Sequence, residues 1–403
     1  MIKVDNFISK ILHKDDNNSY SILTYFDVDE ELTTDFINIY VNEIVKNNPS
    51  LKQSIIEKDG LFFFEDIKTF NIDNYYKIQY TNHKNFNKKI SNILNLSFNN
   101  ELKWKFLCCI DKKLKKSRIF FKIHHAYVDG YTLINLLTDS IITADKSNIV
   151  KKFKRQTSFW GTIYYYIVGT IILVITNIKI ITKSLFIPLN NPLTEKNTKN
   201  KITDYIICKS LSLDKIKLAT KKNNITINDF LYSLMIRADK IYRKTEKIIT
   251  TSSPINVSGT KYNNNMCPLF NSINNSHDNN KLLKTVNDTF NNFKYSLFIP
   301  ILSFVLNNLI SYINMDLLST FYNNFTNNTD YVYSNIIGPS IKNLSIKITD
   351  IHFLTTAKNK EIVYNIISCG DDINIICSFN KNIIRDKKHF KNCIYRAYTS
   401  LIS

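Results

Sequence analysis

Two adjacent histidines stand in the stretch FFKIHHAYVDGYTLINLL, with an apolar run before them and an Asp-Gly pair shortly after. His124, His125 and Asp129 can exchange a proton or bind a metal. Gly130 removes a side chain where a backbone or a ligand passes closely. Three interpretations are open: a catalytic loop, a metal site, or a strand end that happens to carry histidine.

The strand before the histidines separates these interpretations. Successive side chains of a strand point to opposite faces, so His124 and His125 cannot both line one site if they continue the strand IFFKI. No histidine pair at i,i+4 and no third ligand at suitable spacing accompanies them, so no metal site is predicted. We expect one histidine to face a cleft as a general base, because neutral imidazole takes a proton from a hydroxyl or amine near pH 7. The other is expected to be buried, with Asp129 tethering a neighbour in the turn.

The surrounding pattern predicts an α/β chain in which strands and helices position this loop. Strands are predicted at SYSILTYFDVDE, DGLFFFEDI, YYKIQYTN, LKWKFLCCI, SRIFFKIH, KIITTSSPINVSGT and TDYVYSNIIGPSIK. Two or three further strands are predicted around SIKITDIHFL, EIVYNIISCG and INIICSFN. Helices are predicted at TTDFINIYVNEIVKNNPSL, after Gly130, at ITINDFLYSLMIRADKIYRK, across FNNFKYSLFIPILSFVLNNLISYINMDLLSTFYNNF and at KKHFKNCIYRAYTSLI. KSLSLDKIKLATKKNN is predicted to hold a strand and a helix. Thr226 and Asp229 have the spacing of a capping box.

Composition narrows the class of protein. The chain has 403 residues, 44% of them apolar, with 26 Phe, which excludes a disordered chain and predicts two lobes. A formal charge of +19 suits anionic head groups or phosphorylated ligands. Nucleic-acid binding is not predicted, because no glycine-rich phosphate loop or aromatic RNA-binding motif is present. Seven scattered cysteines and an N-terminus without a signal-peptide pattern predict an intracellular protein.

One segment is apolar enough to contact a membrane. Residues 156–178, QTSFWGTIYYYIVGTIILVITNI, contain no charged residue and are long enough to cross a bilayer as a helix. Trp160 and three tyrosines lie near one end, as interface anchors do. Basic residues flank the segment on both sides, namely Lys151, Lys152, Lys154, Arg155, Lys179 and Lys183.

HHAYVDG is similar to the His-His-x-x-x-Asp-Gly motif of CoA-dependent acyltransferases and peptide-synthetase condensation domains. Four other segments resemble, in order, those of the wax ester synthase/diacylglycerol acyltransferase family. ELKWKF places Trp104 on the Trp of a Pro-Leu-Trp segment, with the Pro absent, and TINDF places Asn228 and Asp229 on an Asn-Asp pair. SSPINVSGT resembles a Pro-Val-Ser loop, with Gly-Thr where a basic residue is expected, and YSNIIGP resembles a Ser-Asn-x-x-Gly-Pro segment. The resemblance runs from about residue 17 to 400. The Asp-Phe-Gly-Trp-Gly segment of plant alcohol acyltransferases is not found near the C-terminus of this sequence, which counts against that branch.

The resemblance implies an α/β fold with two lobes of chloramphenicol-acetyltransferase type and an active-site tunnel between them. It implies domains at 1–150 with the histidine motif, 151–200 as an apolar crossover and linker, and 201–403. It further implies that His125 is the general base and that acyl-CoA is a substrate, with no resident cofactor. His124 and Asp129 would hold the loop, with Lys261 or another cation as partner of Asp129.

Several other residues have a plainer interpretation beside the functional one. Ser334, Asn335 and the Gly130 amide are candidates for stabilising the oxyanion, although Ser334-Asn335 is equally well an ordinary strand end. Asn228 and Asp229 are expected mainly to start a helix. Trp104 is expected mainly to pack in the core.

The activity implied is O-acyl transfer to a long-chain alcohol or diacylglycerol at a membrane or lipid-droplet surface. A condensation-type enzyme that uses carrier-protein thioesters is one alternative, and a catalytically silent lipid-binding or membrane protein is another. A membrane-spanning 156–178 would put the two lobes on opposite sides of the membrane. The segment is therefore expected to be interfacial or re-entrant, a hairpin reaching about residue 189, or a buried helix over the tunnel mouth.

Overall fold

The computed structural model describes most of the chain. It covers residues 2–3, 20–58, 61–98, 101–141, 158–186, 202–244, 248–256, 266–273, 276, 278–304, 329–339, 344–357 and 362–403. The strands are β1 Ile2–Lys3, β2 Ser21–Val28, β3 Gln53–Lys58, β4 Leu61–Asp66, β5 Tyr76–Tyr80, β6 Trp104–Asp111, β7 Lys116–His124, β8 Thr203–Ser212, β9 Ile249–Asn256, β10 Met266–Ile273, β11 Tyr331–Ile336, β12 Ile348–Thr355, β13 Ile362–Cys369 and β14 Asp372–Asn380.

Helices connect these strands. They are α1 Thr34–Asn47, α2 Phe86–Asn95, α3 Gly130–Asp139, α4 Phe159–Tyr164, α5 Thr170–Phe186, α6 Leu213–Lys222, α7 Ile227–Arg243, α8 Asn279–Tyr295, α9 Phe298–Phe304 and α10 Lys387–Ile402. A π-helical turn, Tyr165–Gly169, joins α4 to α5, and the three segments together are called the apolar helix below.

Two large sheets carry the two lobes. The first has the strand order β12-β2-β7-β6-β5 and the second has the order β10-β9-β11-β13-β14-β8, while β1, β4 and β3 form a small third sheet. In the first sheet β5 and β6 are parallel and the other neighbours are antiparallel. In the second sheet the β9-β11-β13 core is parallel.

Strand β12 crosses from the second half of the sequence into the first sheet. It pairs antiparallel with β2, so that His352 lies opposite Tyr25 and Leu354 opposite Leu23. Its chain neighbours β11 and β13 both belong to the second sheet. Boundaries drawn by sequence position, such as 201–403 for one lobe, do not capture this crossover.

Each sheet is covered by helices that bury one apolar face. α1 and α3 pack on the first sheet over Trp104, Phe121 and Ile123. α6, α7, α8 and α10 supply side chains to the core of the second sheet. The capping box predicted at the start of α7 is confirmed: Thr226 Oγ1 accepts from the Asp229 backbone N–H, and the Thr226 backbone N–H donates to Asp229 Oδ2 at 2.9 Å.

The two lobes meet along the face of the first sheet opposite α1 and α3. Here α2 and side chains from both sheets form one core, with Leu23 and Phe120 from the first sheet and Ile376 from the second. Asn95, at the end of α2, donates to the Thr203 carbonyl at 2.9 Å and accepts from the Thr203 N–H at 2.8 Å. The lobes are therefore joined by apolar packing and by a reciprocal polar clamp.

A charged network crosses the same seam. Asp27 of β2 accepts from Arg118, and Asp350 of β12 accepts from Lys209 of β8 and from Asn374 of β14. The carboxylate and imidazole atoms of Asp27, Asp350 and His352 lie within 4.8 Å of one another, as metal ligands could. Two cations already neutralise the two carboxylates, so an ion-pair network explains the cluster without a metal.

We expect Asp350→Asn to destabilise the protein by about 2 kcal/mol at pH 7, since it leaves Lys209 without its main partner in a partly buried network. Burial tends to raise the pKa of Asp350, but His352 and Lys209 together hold it well below its usual range. The ionised carboxylate therefore stabilises the fold above about pH 4, the ordinary aspartate pKa, and this contribution disappears as the pH falls further. Urea unfolding as a function of pH measures both effects.

Asp214→Asn is the matched control for this prediction. Asp214 makes an exposed ion pair with Lys217 at 3.0 Å on α6, so its loss should be close to neutral. Equal unfolding free energies for the two variants at pH 7 would contradict a stabilising role for the seam network.

Candidate active site

The two histidines occupy different environments at the end of β7. His124 is the last residue of the strand and is fully buried, and its Nδ1 accepts from the Ala126 N–H at 3.2 Å. His125 follows in a turn and remains partly exposed, with its backbone N–H donating to the Tyr20 carbonyl at 2.8 Å. The strand end thus separates one buried histidine from one that retains access to its surroundings.

The surroundings of His125 favour its neutral form. Burial lowers the pKa of His125, because an apolar environment disfavours the charged imidazolium. A hydrogen bond with its own backbone carbonyl and the carboxylate of Asp129 act in the opposite direction. The net lowering keeps a large neutral fraction of the imidazole near pH 7, which is the form that accepts a proton.

Asp129 is the N-cap of α3. Its carboxylate accepts from the Thr132 N–H at 2.7 Å, and its carbonyl accepts from the Leu133 N–H at 2.9 Å. Asp129 is almost fully buried, so the cap fixes the path of the chain between His125 and the helix. Lys261, the partner considered from the sequence, lies outside the described residues.

Gly130 is where the loop meets the second sheet. A Cβ added at Gly130 would lie 2.6 Å from Ile336 Cδ1 of β11 and 3.7 Å from Phe353 of β12. The close neighbour at this glycine is a side chain, and not the backbone or ligand that the sequence predicted. This contact brings the histidine loop to the end of β11, the strand that carries Ser334 and Asn335.

Ser334 and Asn335 point to opposite faces of β11. Ser334 shares a face with Ile336, which contacts the histidine loop. Asn335 lies on the other face, where its Nδ2 donates to Asn228 Oδ1 at 3.1 Å. Of the two oxyanion candidates, only Ser334 lies on the face that approaches Gly130.

Asn228 and Asp229 have separate roles at the start of α7. Asp229 is fully buried in the capping box, as the helix-start interpretation predicts. Asn228 accepts from Asn335 and from the hydroxyl of Tyr333 at 3.1 Å. Two segments singled out from the sequence are thereby joined, and Tyr333 is a participant that sequence reasoning missed.

Trp104 is a core residue. It is fully buried, stacks between Tyr75 and Phe121 at centroid distances of 5.1 and 5.7 Å, and donates from Nε1 to the Leu51 carbonyl at 2.8 Å. This contact network confirms the packing interpretation. A tryptophan with a satisfied indole N–H and two stacked faces has no surface left to offer a substrate.

Lys122 is a second residue that sequence reasoning missed. It is buried on β7, its Nζ donates to the Leu94 carbonyl at 3.0 Å near the end of α2, and it lies 4.8 Å from the ring centroid of Phe98. Burial lowers its pKa to about 7. The same Phe98 ring packs against His124, with 6.4 Å between centroids, so Lys122 belongs to the support of the buried histidine.

A surface groove elsewhere is less informative. It has a volume of about 670 Å³, lies beside α1, and is lined in part by Lys46, Lys52 and Phe70. No residue of the histidine loop lines it. The groove therefore does not identify the site of the chemistry.

The apolar helix lies on the surface of the second lobe. Its segment Phe159–Lys179 is the one described helix that is long and apolar enough to cross a membrane by length and composition. Only 11% of its most apolar window is buried in the protein. The buried-helix interpretation is therefore wrong, and within the described range the chain forms one continuous helix to Phe186 with no hairpin turn.

Comparison with known proteins supports these observations. Residues 264–402 match the model of the WS/DGAT C-terminal domain. A search of curated proteins by sequence finds no significant match. Among solved structures, the wax ester synthase/diacylglycerol acyltransferase from Marinobacter aquaeolei VT8 aligns with a TM-score of 0.63 at 11% identity, over 100% of this chain and 98% of that one.

Two other solved structures widen the comparison. The trichothecene 15-O-acetyltransferase from Fusarium sporotrichioides aligns with a TM-score of 0.64 at 10% identity, over 100% of this chain and 94% of that one. The starter condensation domain of rhizomide synthetase, solved in complex with C8-CoA, aligns at 0.58 and 8% identity, over 100% and 94%. At such identities the likeness establishes the two-lobed α/β acyltransferase and condensation fold, as the sequence predicted. The match at residues 264–402 goes further, because it shows that this part of the chain is similar in sequence to the C-terminal domain of wax ester synthases/diacylglycerol acyltransferases.

Proposed function

We propose that this protein transfers a fatty acyl group from acyl-CoA to a long-chain alcohol or diacylglycerol, forming a wax ester or a triacylglycerol. The observation that carries the proposal is the contact between Gly130 of the histidine motif and Ile336, which lies inside the matched WS/DGAT domain. This contact brings together the two parts of the chain to which the acyltransferase resemblance points.

His125 acts as the general base in this proposal. Its neutral imidazole takes the proton of the acceptor hydroxyl as that oxygen attacks the thioester carbonyl. The carbon–sulfur bond then breaks, and the CoA thiolate takes the proton back from the imidazolium. Every atom is accounted for without an acyl-enzyme, and acyl-CoA enters as a substrate, so the reaction needs no resident cofactor or metal.

The oxyanion that forms during the attack needs hydrogen-bond donors. Gly130 is the first residue of α3, so its amide lies at the positive end of the helix dipole. Ser334 lies on the face of β11 that approaches Gly130. We propose these two as the donors, with His124 and Asp129 holding the loop and Asn335 fixed by Asn228.

The apolar helix supports membrane association and an apolar acceptor. We propose that it contacts the surface of an intracellular membrane or lipid droplet, where alcohols and glycerides that are insoluble in water are held. This contact would let the acceptor reach the acyl-CoA without passing through water.

One set of assays distinguishes the proposed function from its two alternatives, a condensation-type enzyme and a catalytically silent protein. Purified protein is incubated with labelled acyl-CoA and either hexadecanol or diacylglycerol, and the same acyl group is offered on a carrier protein. Ester formation from acyl-CoA is expected. Activity with the carrier-bound acyl group alone would identify a condensation-type enzyme, and binding of lipid without ester from any donor would identify a silent protein of the same fold.

A further inference from the structure

The outward face of the apolar helix is a continuous stripe of large side chains. We call Trp160, Tyr164, Ile167, Ile171, Ile175 and Ile178 the outer stripe. These residues recur every three or four positions, as residues on one helix face do, and their exposed fractions lie between 76% at Trp160 and 47% at Ile175. The sequence from Ser158 to Ile178 contains no charged residue, so no charge on this face opposes contact with an apolar phase.

The inward face is fixed to a polar helix. A Cβ on Gly169 would lie 3.2 Å from the Cα of Asn292 on α8, and the Tyr165 hydroxyl donates to Asp288 Oδ1 at 3.3 Å. The Leu297 N–H donates to Thr170 Oγ1 at 3.0 Å, and Leu173 packs against Phe293. The apolar helix is thus held against the second lobe over its middle part, from Tyr165 to Leu173.

α8 cannot follow its neighbour into hydrocarbon. Its sequence NNKLLKTVNDTFNNFKY carries Lys281, Lys284, Asp288 and Lys294 together with several asparagines. Charged side chains at the centre of a bilayer are costly, so α8 is unsuited to the hydrocarbon layer. A helix that crossed the bilayer would therefore have to leave α8 and lose the contacts of its inward face.

A second helix extends the apolar surface. Ile301 and Phe304 of α9 are 51% and 60% exposed, and α9 is joined to the same cluster by Phe298, which packs against Phe293. Lys179 is exposed immediately after the outer stripe. The surface is thus a two-helix apolar platform with a basic residue at its edge, which suits an anionic leaflet.

We infer that the apolar helix lies in the plane of one leaflet of an anionic bilayer, with α9 beside it and both lobes on the same side. This inference rests on the membrane contact proposed above and specifies its geometry. The outer stripe faces the acyl chains, while α8 keeps the inward face against the second lobe. Such an arrangement leaves the contact between Gly130 and Ile336 intact, which a membrane-spanning helix between the lobes would not.

The fluorescence of Trp160 can report how deeply the outer stripe enters the bilayer. Of its two tryptophans, Trp104 is fully buried in the core and Trp160 lies on the outer stripe. The full-length protein is added to phosphatidylcholine–phosphatidylglycerol vesicles that carry bromine at a shallow or a deep acyl position. An in-plane helix gives a blue shift and stronger quenching by shallow bromine, and both are lost in Trp160→Phe.

Moving the probe along the stripe tests the orientation. In the Trp160→Phe background, Ile171→Trp and Ile178→Trp should report the same shallow depth as Trp160 in the unmodified chain. A probe at position 171 that is quenched best by deep bromine, between shallow positions 160 and 178, would overturn the in-plane geometry and establish a spanning helix. Absence of any quenching would overturn the membrane contact as well, but not acyl transfer, which is measured with added acceptor.

A charge test separates this surface from the rest of the protein. Ile171→Asp combined with Ile175→Asp should weaken vesicle binding about 100-fold, because two carboxylates would enter the apolar layer. The control is Leu218→Asp on α6, where the leucine is 70% exposed and lies outside the platform. Equal binding by the two variants would overturn the assignment of the outer stripe.

Discussion

His125→Ala is expected to lower the rate of ester formation about 1,000-fold while leaving the protein folded. Removal of a general base typically costs 10²- to 10⁴-fold in rate. His125 lies in the turn after β7, and the pairing of β7 with β2 ends at His124, so loss of the His125 side chain leaves the first sheet intact. Single-turnover ester formation from labelled acyl-CoA measures the loss, and thermal unfolding establishes that the variant is folded.

The pH dependence of the wild type belongs to the same prediction. Because burial lowers the pKa of His125, the base stays neutral to below the ordinary histidine value of about 6.5. We therefore expect kcat/KM to be flat from pH 8 to about 6.5 and to fall at lower pH as the imidazole is protonated. That acidic limb should be absent from the residual activity of His125→Ala.

His124→Ala is the matched comparison. His124 is fully buried, and its Nδ1 supports the turn that presents His125. Its loss should act mainly on stability, by about 2 kcal/mol, through the unmade hydrogen bond and the cavity. A stably folded His124→Ala as inactive as His125→Ala would contradict the division of roles between the two histidines.

Gly338→Ala is expected to have the largest effect on stability, about 3 kcal/mol. A Cβ at this position would lie 1.8 Å from the carbonyl oxygen of Ser368, which belongs to the neighbouring strand β13. The Gly338 N–H also donates to Ser368 Oγ at 2.9 Å, so the backbone cannot withdraw without losing that bond. A steric clash with backbone atoms lowers the free energy of unfolding more than a clash with the end of a side chain, because the hydrogen bonds of the sheet hold the backbone in place.

Gly130→Ala is the matched control for the steric prediction. Its Cβ would come within 2.6 Å of the terminal methyl of Ile336, which can rotate away, and would make ordinary van der Waals contact with Phe353 at 3.7 Å. We expect a loss of at most about 1 kcal/mol in the free energy of unfolding, measured by urea titration. If Gly130→Ala destabilises the protein as much as Gly338→Ala, the distinction between a backbone and a side-chain obstacle is wrong.

Local sequence patterns predicted the features of this fold that depend on residues close together in the chain. The strand that ends at His124, the helix that begins at Gly130, the capping box at Thr226 and the packing of Trp104 all follow from periodicity, capping and burial. β10 was missed, because Met266–Ile273 lies in an asparagine-rich tract that reads as a loop. α2 was missed because its lysines and asparagines weaken the helical pattern of apolar residues. β3 was missed because it is short.

The features that depend on distant pairing could not be read from the sequence. The network of Asp27, Lys209 and Asp350 joins strands that lie far apart along the chain. The bonds from Tyr333 and Asn335 to Asn228 likewise need the register of β11 beside α7. The buried position of Lys122 depends on α2 passing over β7, which no local pattern encodes.

The crossover of β12 has a consequence for the newly made chain. β2 is complete at Val28, but the strand that covers its edge begins at Ile348. At a synthesis rate of about 5 to 20 residues per second, the edge of β2 stays open for roughly 20 to 60 s. An unpaired edge strand as apolar as β2, SILTYFDV, can form hydrogen bonds with strands of other chains.

Folding of the first lobe must therefore wait for the last quarter of the chain, and a fragment that ends before β12 would expose this edge permanently. The protein is thus expected to depend on chaperones while it is being synthesised.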